Sequence, residues 1–369
     1  MCYDDIDFKC TPNFIYKETI STKSDCLSNC CTFDYFLTKS QDLILVTPYI
    51  NISNYNNESH SLSLINLKTN KIEGELTGHT DRILSVRIFK NPKTKKNYII
   101  SVDKGLNVIV WDIEKNYEII FNKKFEYHNF TLIYSTLMIF DENNNNIWVV
   151  VSSIDEKNKT LVANLNKSSN NYDDFIEIKN SENLPVYCLC YWYNNEAEND
   201  EEKHNIIQCG KNKILISKFP KNETYYIIDT DEKYMYNSGG LVYKIKDKNF
   251  LAISSCSGLI LIFDLIEKNI IKKIELDDVH IFSFIKWNEN YVLLNDTQQK
   301  RIIVMDIDND YEINSMNLLP EMEMDVYMKK IKHPLYGECI ITSGKNWKLN
   351  LFIIRGIQRK NNQDKNFFI

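Results

Sequence analysis

The chain has 369 residues, 25% charged and 43% hydrophobic, with a formal net charge of −6. That is an ordinary balance for a globular protein with ample length for a large core. The acidic surplus and the scattered basic residues argue against direct nucleic-acid binding, which usually shows a basic stripe.

Met1 to Asp7 show no basic segment leading into an apolar one, so no signal peptide is expected. No run reaches the ~18 apolar residues of a membrane helix; the run from Gly258 to Ile266 contains Asp264. A cytoplasmic or nuclear protein with reduced thiols is the expectation, with no membrane contact. Glycine is scarce, at 10 residues, where average usage gives roughly 25. Turns that require positive φ must therefore often use Asn or Asp, the next most tolerant residues.

In chain order, the first element is a strand candidate, Asn13 to Thr19. Leu27 to Phe33 then opens a series of short runs in which apolar residues alternate with others, the period of a strand. Further runs begin near Ile83, Tyr134, Val186, Leu241, Ile281 and Val326, spaced by about 40 to 56 residues. Val186 to Trp192 and Ile281 to Trp287 align with Ile83 to Phe89. The units close on related pairs: Asn66-Leu67, Trp111-Asp112, Asn164-Leu165, Phe263-Asp264 and Met305-Asp306. Extra length sits in polar stretches, Asn51 to Glu58, Asp141 to Asn146, Ser168 to Asp174 and Asn194 to His204, where surface loops accept insertions.

The seventh unit offers three strands, Val326 to Ile331, Glu338 to Thr342 and Leu349 to Ile354. The orphan strand near 13–19 supplies the missing one. Such closure removes exposed sheet edges.

The clearest unit runs from Gly78-His79 through Tyr98-Ile-Ile-Ser101-Val to Trp111-Asp112. It resembles a WD repeat, and the other six units resemble divergent copies. The resemblance implies an all-β, seven-bladed β-propeller of four-stranded antiparallel blades. One propeller is expected over residues 1–357, followed by a tail at 358–369. The family's buried hydrogen-bond chain links His, Ser or Thr, Asp and Trp. Here Gly78, His79, Ser101, Trp111 and Asp112 match the motif, but the Asp position is Gly105. Asp103 or a water is expected to substitute, because a half-satisfied buried network is costly. The other blades lack most of this set and should rely on apolar packing.

In the family, residues just before each first strand rim one end of the central channel. By alignment these are Arg82, Pro185, His280 and Asp325, with Lys104 in a neighbouring turn and Tyr187 beside them. Arg and Tyr are favoured interface anchors. The resemblance thus implies a non-catalytic scaffold: a monomeric propeller that binds other proteins within an assembly.

Catalytic signatures are missing. No phosphate loop, dinucleotide fingerprint, His-Glu-x-x-His or Gly-x-Ser-x-Gly occurs, and the six His are dispersed. No catalytic residue, cofactor or metal site is expected. Cys10, Cys26, Cys30 and Cys31 form half of a zinc pattern with no second half. Cys188 and Cys190 share a strand face and read as core. A propeller that grips phosphoinositides would use Phe-Arg-Arg-Gly. The nearest match, Phe352-Ile-Ile-Arg355-Gly356, has one arginine, and the basic tail beyond it reads as a frayed end.

Overall fold

The structure is a computed structural model. It describes residues 13–20, 32–52, 58–91, 93–105, 107–124, 133–141, 146–153, 160–164, 175–178, 185–197, 199, 203–220, 223–230, 239–255, 257–320, 322, 327–344 and 349–355.

Seven four-stranded antiparallel sheets form a β-propeller. The chain begins with β1 (Asn13–Ile20). Blade 1 is β2 (Asp34–Leu37), β3 (Leu43–Ile52), β4 (Glu58–Asn66) and β5 (Lys71–His79). Blade 2 is β6 (Ile83–Lys90), β7 (Asn97–Asp103), β8 (Asn107–Asp112) and β9 (Glu118–Lys124). Blade 3 is β10 (Ile133–Asp141), β11 (Asn146–Ser153), β12 (Thr160–Asn164) and β13 (Phe175–Ile178). Blade 4 is β14 (Val186–Tyr193), β15 (His204–Gly210), β16 (Lys213–Lys218) and β17 (Glu223–Asp229). Blade 5 is β18 (Gly239–Ile245), β19 (Lys248–Ser254), β20 (Leu259–Asp264) and β21 (Asn269–Glu275). Blade 6 is β22 (Ile281–Lys286), β23 (Tyr291–Asp296), β24 (Arg301–Asp306) and β25 (Glu312–Leu318). Blade 7 takes β26 (Tyr327–His333), β27 (Gly337–Ser343) and β28 (Leu349–Arg355), and β1 completes it by pairing antiparallel with β28.

The described part of the first unit's inner strand is Asp34–Leu37. Thr32 and Phe33 precede that strand, and Leu27 to Cys31 lie outside the described residues. Thr32 and Asp34 bond sideways to blade 2: Thr32 Oγ1 accepts from Val86 N at 2.8 Å and Asp34 Oδ2 from Ile88 N at 2.9 Å.

Within a blade, the two middle strands are buried on both faces. β8, β20 and β23 are buried at every position. Each sheet is flanked by two others, so both faces need apolar cover, as in sheets packed on both sides. The outermost strands β9 and β21 instead alternate partly buried and exposed residues. The core is accordingly a set of slabs between neighbouring blades. One joins blades 1 and 2 through Val46, Leu62, Val86, Ile99 and Trp111; another joins blades 7 and 1 through Leu45, Ile65, Ile341 and Leu351.

The glycine shortage shows in the turns. Among the described residues, positive φ occurs at Asn70, Asn116, Asn212, Asp278 and Asp310, as expected, but also at Lys95, Lys246, Lys268 and Lys300. Lysine gives no local side-chain hydrogen bond of the Asn kind, so these turns are held by the strands they join.

Two glycines allow a test. Gly258 has φ +81, and a Cβ there would lie 2.0 Å from the Leu276 carbonyl oxygen. Gly337 has φ +76 with nothing near a Cβ. Gly337→Ala should cost about 1 kcal/mol, the left-handed penalty alone. Gly258→Ala adds a backbone clash and should cost about 3 kcal/mol or more. Urea unfolding of the two variants measures the difference, and equal costs would refute this account.

Candidate functional site

Inner strands β6, β10, β14 and β22 share one irregularity. Each carries a β-bulge after its first residue, between Ile83 and Ser85, Ile133 and Ser135, Val186 and Cys188, and Ile281 and Ser283. A bulge leaves one residue out of the ladder and re-aims it. The residues left out of the ladder include Leu84, Tyr187 and Phe282, all half-buried. Each follows the first residue of its strand, and Leu84 packs against the core between blades 2 and 3.

Arg82, Pro185 and His280 occupy equivalent places immediately before β6, β14 and β22, and each is half-buried. Lys104 is exposed in the turn after β7, and its N–H donates to the Arg82 carbonyl at 2.8 Å. Asp325 lies outside the described residues. The Arg82 Nε is shielded from solvent and has no hydrogen-bond partner among the described residues. His280 is tied by its backbone: its N–H donates to Asp296 Oδ1 at 3.1 Å, and its carbonyl accepts from Thr297 N at 3.0 Å. Asp296 is in turn bonded to Arg301 Nε at 2.6 Å.

Asp103 holds the corresponding turn in blade 2. Its Oδ2 meets His79 Nδ1 at 2.8 Å, and its Oδ1 accepts from Asn107 N at 2.9 Å. His79 Nε2 lies 2.6 Å from Ser101 Oγ, which also accepts from Trp111 Nε1 at 3.3 Å. The side chains of His79 and Asp103 are fully buried. Asp103 therefore stands where the repeat pattern would place an acid at 105. Asp112, at the end of β8, accepts from Glu114 N at 3.0 Å and caps a short 3-10 turn. Gly78 has φ +150, and a Cβ there would press on Ile109 and Trp111.

Deeper in the channel is a polar collar that sequence reading missed. Arg87 on β6 donates to the Tyr327 hydroxyl on β26 at 2.5 Å, with its guanidinium 5.2 Å from the ring centroid. Lys329 on β26 pairs with Asp34 on β2 and lies 5.5 Å from the Tyr35 ring centroid. Burial, helped by the Asp34 charge, raises the Tyr35 phenol. Ser85 and Thr136 join blades 2 and 3 through their hydroxyls. The available signal was charge on inner strands, at Asp34, Arg87 and Lys329, where apolar residues otherwise alternate.

Phe352 is wholly buried within β28, and only Arg355 of the Phe-Ile-Ile-Arg run is exposed, at the strand's end. Cys10, Cys26, Cys30 and Cys31 fall outside the described residues. Among the described residues, no group of three or more His, Cys, Asp or Glu side chains is placed to hold a metal ion. No helix among them is long and apolar enough to cross a membrane.

No family model and no curated protein matches the sequence. Among solved structures, the chain is similar to the crystal structure of the Myceliophteria thermophila Cps50 (Swd1) beta-propeller domain. The TM-score is 0.64 at 12% identity, over 92% of this chain and 99% of that one. The likeness establishes the propeller fold.

The His79–Asp103 contact has a testable consequence. Asp103→Ala orphans two buried donors, on His79 or Ser101 and on Asn107, and should cost about 2–4 kcal/mol. A Cβ at 105 would lie 3.4 Å from the Asp103 carboxylate. Gly105→Asp in the Asp103→Ala background should therefore recover part of that loss. Thermal unfolding reads both, and a second substitution that deepens the loss would refute the exchange.

Proposed function

We propose that this chain is a non-catalytic protein-interaction scaffold, a propeller that docks partner proteins on the channel end formed by the inner-strand bulges. The observation that carries the reading is the recurrence of that bulge. It takes Tyr187 and Phe282 out of the ladder at the start of their strands, next to Arg82, Lys104, Pro185 and His280. Interface hot spots combine aromatic anchors with Arg inside a desolvated patch. Arg82, half-buried beside this strand end, supplies a guanidinium of the kind such anchors use. Asp325 belongs to the same rim by alignment. In this reading the propeller occupies 1–357 and the tail 358–369, and the protein works in the cytoplasm or nucleus as one copy within a larger assembly.

The test compares wild-type chain with an Arg82→Glu/His280→Glu double variant and a Tyr187→Ala variant, each confirmed folded by circular dichroism. Tagged proteins are affinity-purified, and the co-purifying proteins are quantified. Near-stoichiometric partners of the wild type should fall by about tenfold or more with the charge-reversed variant, the size expected for losing an interface anchor. Partners retained in full by both variants would overturn this face as the docking site. Absence of any stoichiometric partner would overturn the scaffold reading.

A further inference from the structure

Blade 4 carries three free cysteines on one face of its two innermost strands. Cys188 and Cys190 stand two residues apart on β14, so their side chains share a face, and their sulfurs are 3.9 Å apart. Cys209 on β15 is the cross-strand partner of Cys188 and completes the group. The trio faces blade 5 at Gly240, where a Cβ would lie 2.5 Å from the Cys190 sulfur and 2.9 Å from that of Cys188. The glycine makes room for the thiols, since any side chain there would displace one or both. Cys209 is fully buried, whereas Cys188 and Cys190 keep 8% and 7% exposure on the strand that borders the channel.

We propose that Cys188, Cys190 and Cys209 form an oxidisable thiol site that takes a peroxide, with Cys188 as the attacking sulfur and Cys209 as the resolving one. The register favours this pair. Directly opposed residues of antiparallel strands hold their Cα atoms about 4.5–5.5 Å apart, inside the ~4.4–6.8 Å span of a disulfide. Cys188 and Cys190, two residues apart on one extended strand, are about 6.8 Å apart, at its outer limit. Position separates the roles, since Cys188 lies on the innermost strand with slight exposure and Cys209 is fully buried on β15, and electrostatics agrees. Hydrogen bonds from Cys190 and Cys209 hold the Cys188 thiol well below the usual range, and the Arg87 guanidinium in the channel adds to this. Cys190 and Cys209 are pushed up, first by their bonds to Cys188 and further by burial. The thiolate is the nucleophile, so the trio contains one poised sulfur.

The Cys188 thiolate attacks one peroxide oxygen, and the O–O bond breaks. The departing hydroxide takes the proton that Cys188 released and leaves as water, so that Cys188 becomes a sulfenic acid. The Cys209 sulfur then attacks the Cys188 sulfur. The S–O bond breaks, and the hydroxyl leaves as a second water with the Cys209 proton. Two thiols lose two electrons, and the peroxide is reduced to two waters. A dithiol reductant reverses the bond.

Hydrogen peroxide is titrated into the folded full chain, remaining thiols are alkylated, and peptides are mapped by mass spectrometry. A Cys188–Cys209 disulfide is expected. Cys339 serves as internal comparator: it is buried, and burial pushes its thiol up to about 11. It should react at least about tenfold more slowly. Cys209→Ser should leave Cys188 as a sulfenic acid that a carbon-acid probe labels, and Cys188→Ser should leave Cys209 alkylatable. The wild-type map decides alone if a variant does not fold. Cys188 and Cys209 still alkylatable at doses that oxidise Cys339 would overturn the proposal. So would a Cys190–Cys209 bond formed at the wild-type rate in Cys188→Ser.

Discussion

Ring closure is the constraint on which the rest depends. Blade 7 has only three strands of its own, and its fourth comes from the far end of the chain, pairing Asn13 with Arg355 and Ile20 with Leu349. An open β28 would present a row of unpaired backbone groups. It would also uncover one slab of core, since Ile20 packs there with Leu45, Ile341 and Leu351. Every other slab lies between two blades, and no blade can cover its own faces. A propeller is therefore stable as a closed ring or poorly stable at all, and the contact that closes it is the most distant in sequence. Such non-local pairing is slow to form, because loop-closure entropy is lost before the contacts compensate it.

The best-preserved motif serves the same end. His79 ends β5, the outermost strand of blade 1, while Ser101, Asp103 and Trp111 belong to β7 and β8 of blade 2. The sequence repeat is thus staggered by one strand against the blade, and its buried hydrogen bonds tie neighbouring blades together. Blade 6 uses other chemistry for the matching turn, with Asp296 bonded to the His280 amide and to Arg301. Blade 5 uses Ser255, whose hydroxyl accepts from Ser257 N and Leu259 N. Three solutions to one problem explain why the motif decays along the chain without loss of the fold. In these three blades the common feature is a polar group at or just after the end of the second strand, not a particular residue; blade 4 has Gly210 there.

The parts legible in sequence were those set by local pattern. Inner strands at Ile83, Val186 and Ile281 are marked by alternation, and the three strands of the last unit by their apolar runs. The middle strands are apolar without alternation because both their faces are covered, which makes them visible as strands but silent about orientation. The opening expected for the first unit, Leu27 to Cys31, lies outside the described residues, and the described strand beside it is anchored by Thr32 and Asp34 reaching blade 2, contacts across more than fifty residues that no local pattern announces. Phe282 was missed as a surface candidate because a bulge changes the aim of a residue without changing the pattern around it. The channel collar was hidden for a related reason. Arg87 and Tyr327, or Asp34 and Lys329, meet only after the ring closes, and nothing local to either residue announces its partner.

That collar also bears on where recognition can occur. Several polar groups of the inner strands are engaged with one another: Arg87 with Tyr327, Lys329 with Asp34, Ser85 with Thr136. A ligand seated among them would have to break these bonds in a partly buried setting, where each unreplaced bond costs about 1–3 kcal/mol. The bulged end of the channel differs: its turns are held by main-chain bonds at Arg82 and His280, which a molecule covering the face would not need to break. Its side chains are half-buried, Lys104 is exposed, and the Arg82 Nε lacks a partner among the described residues. A surface whose donors are already desolvated has less to lose when a second protein covers it. The collar's polar groups instead bond one another in holding the ring together, so a ligand at the face has fewer of these bonds to break.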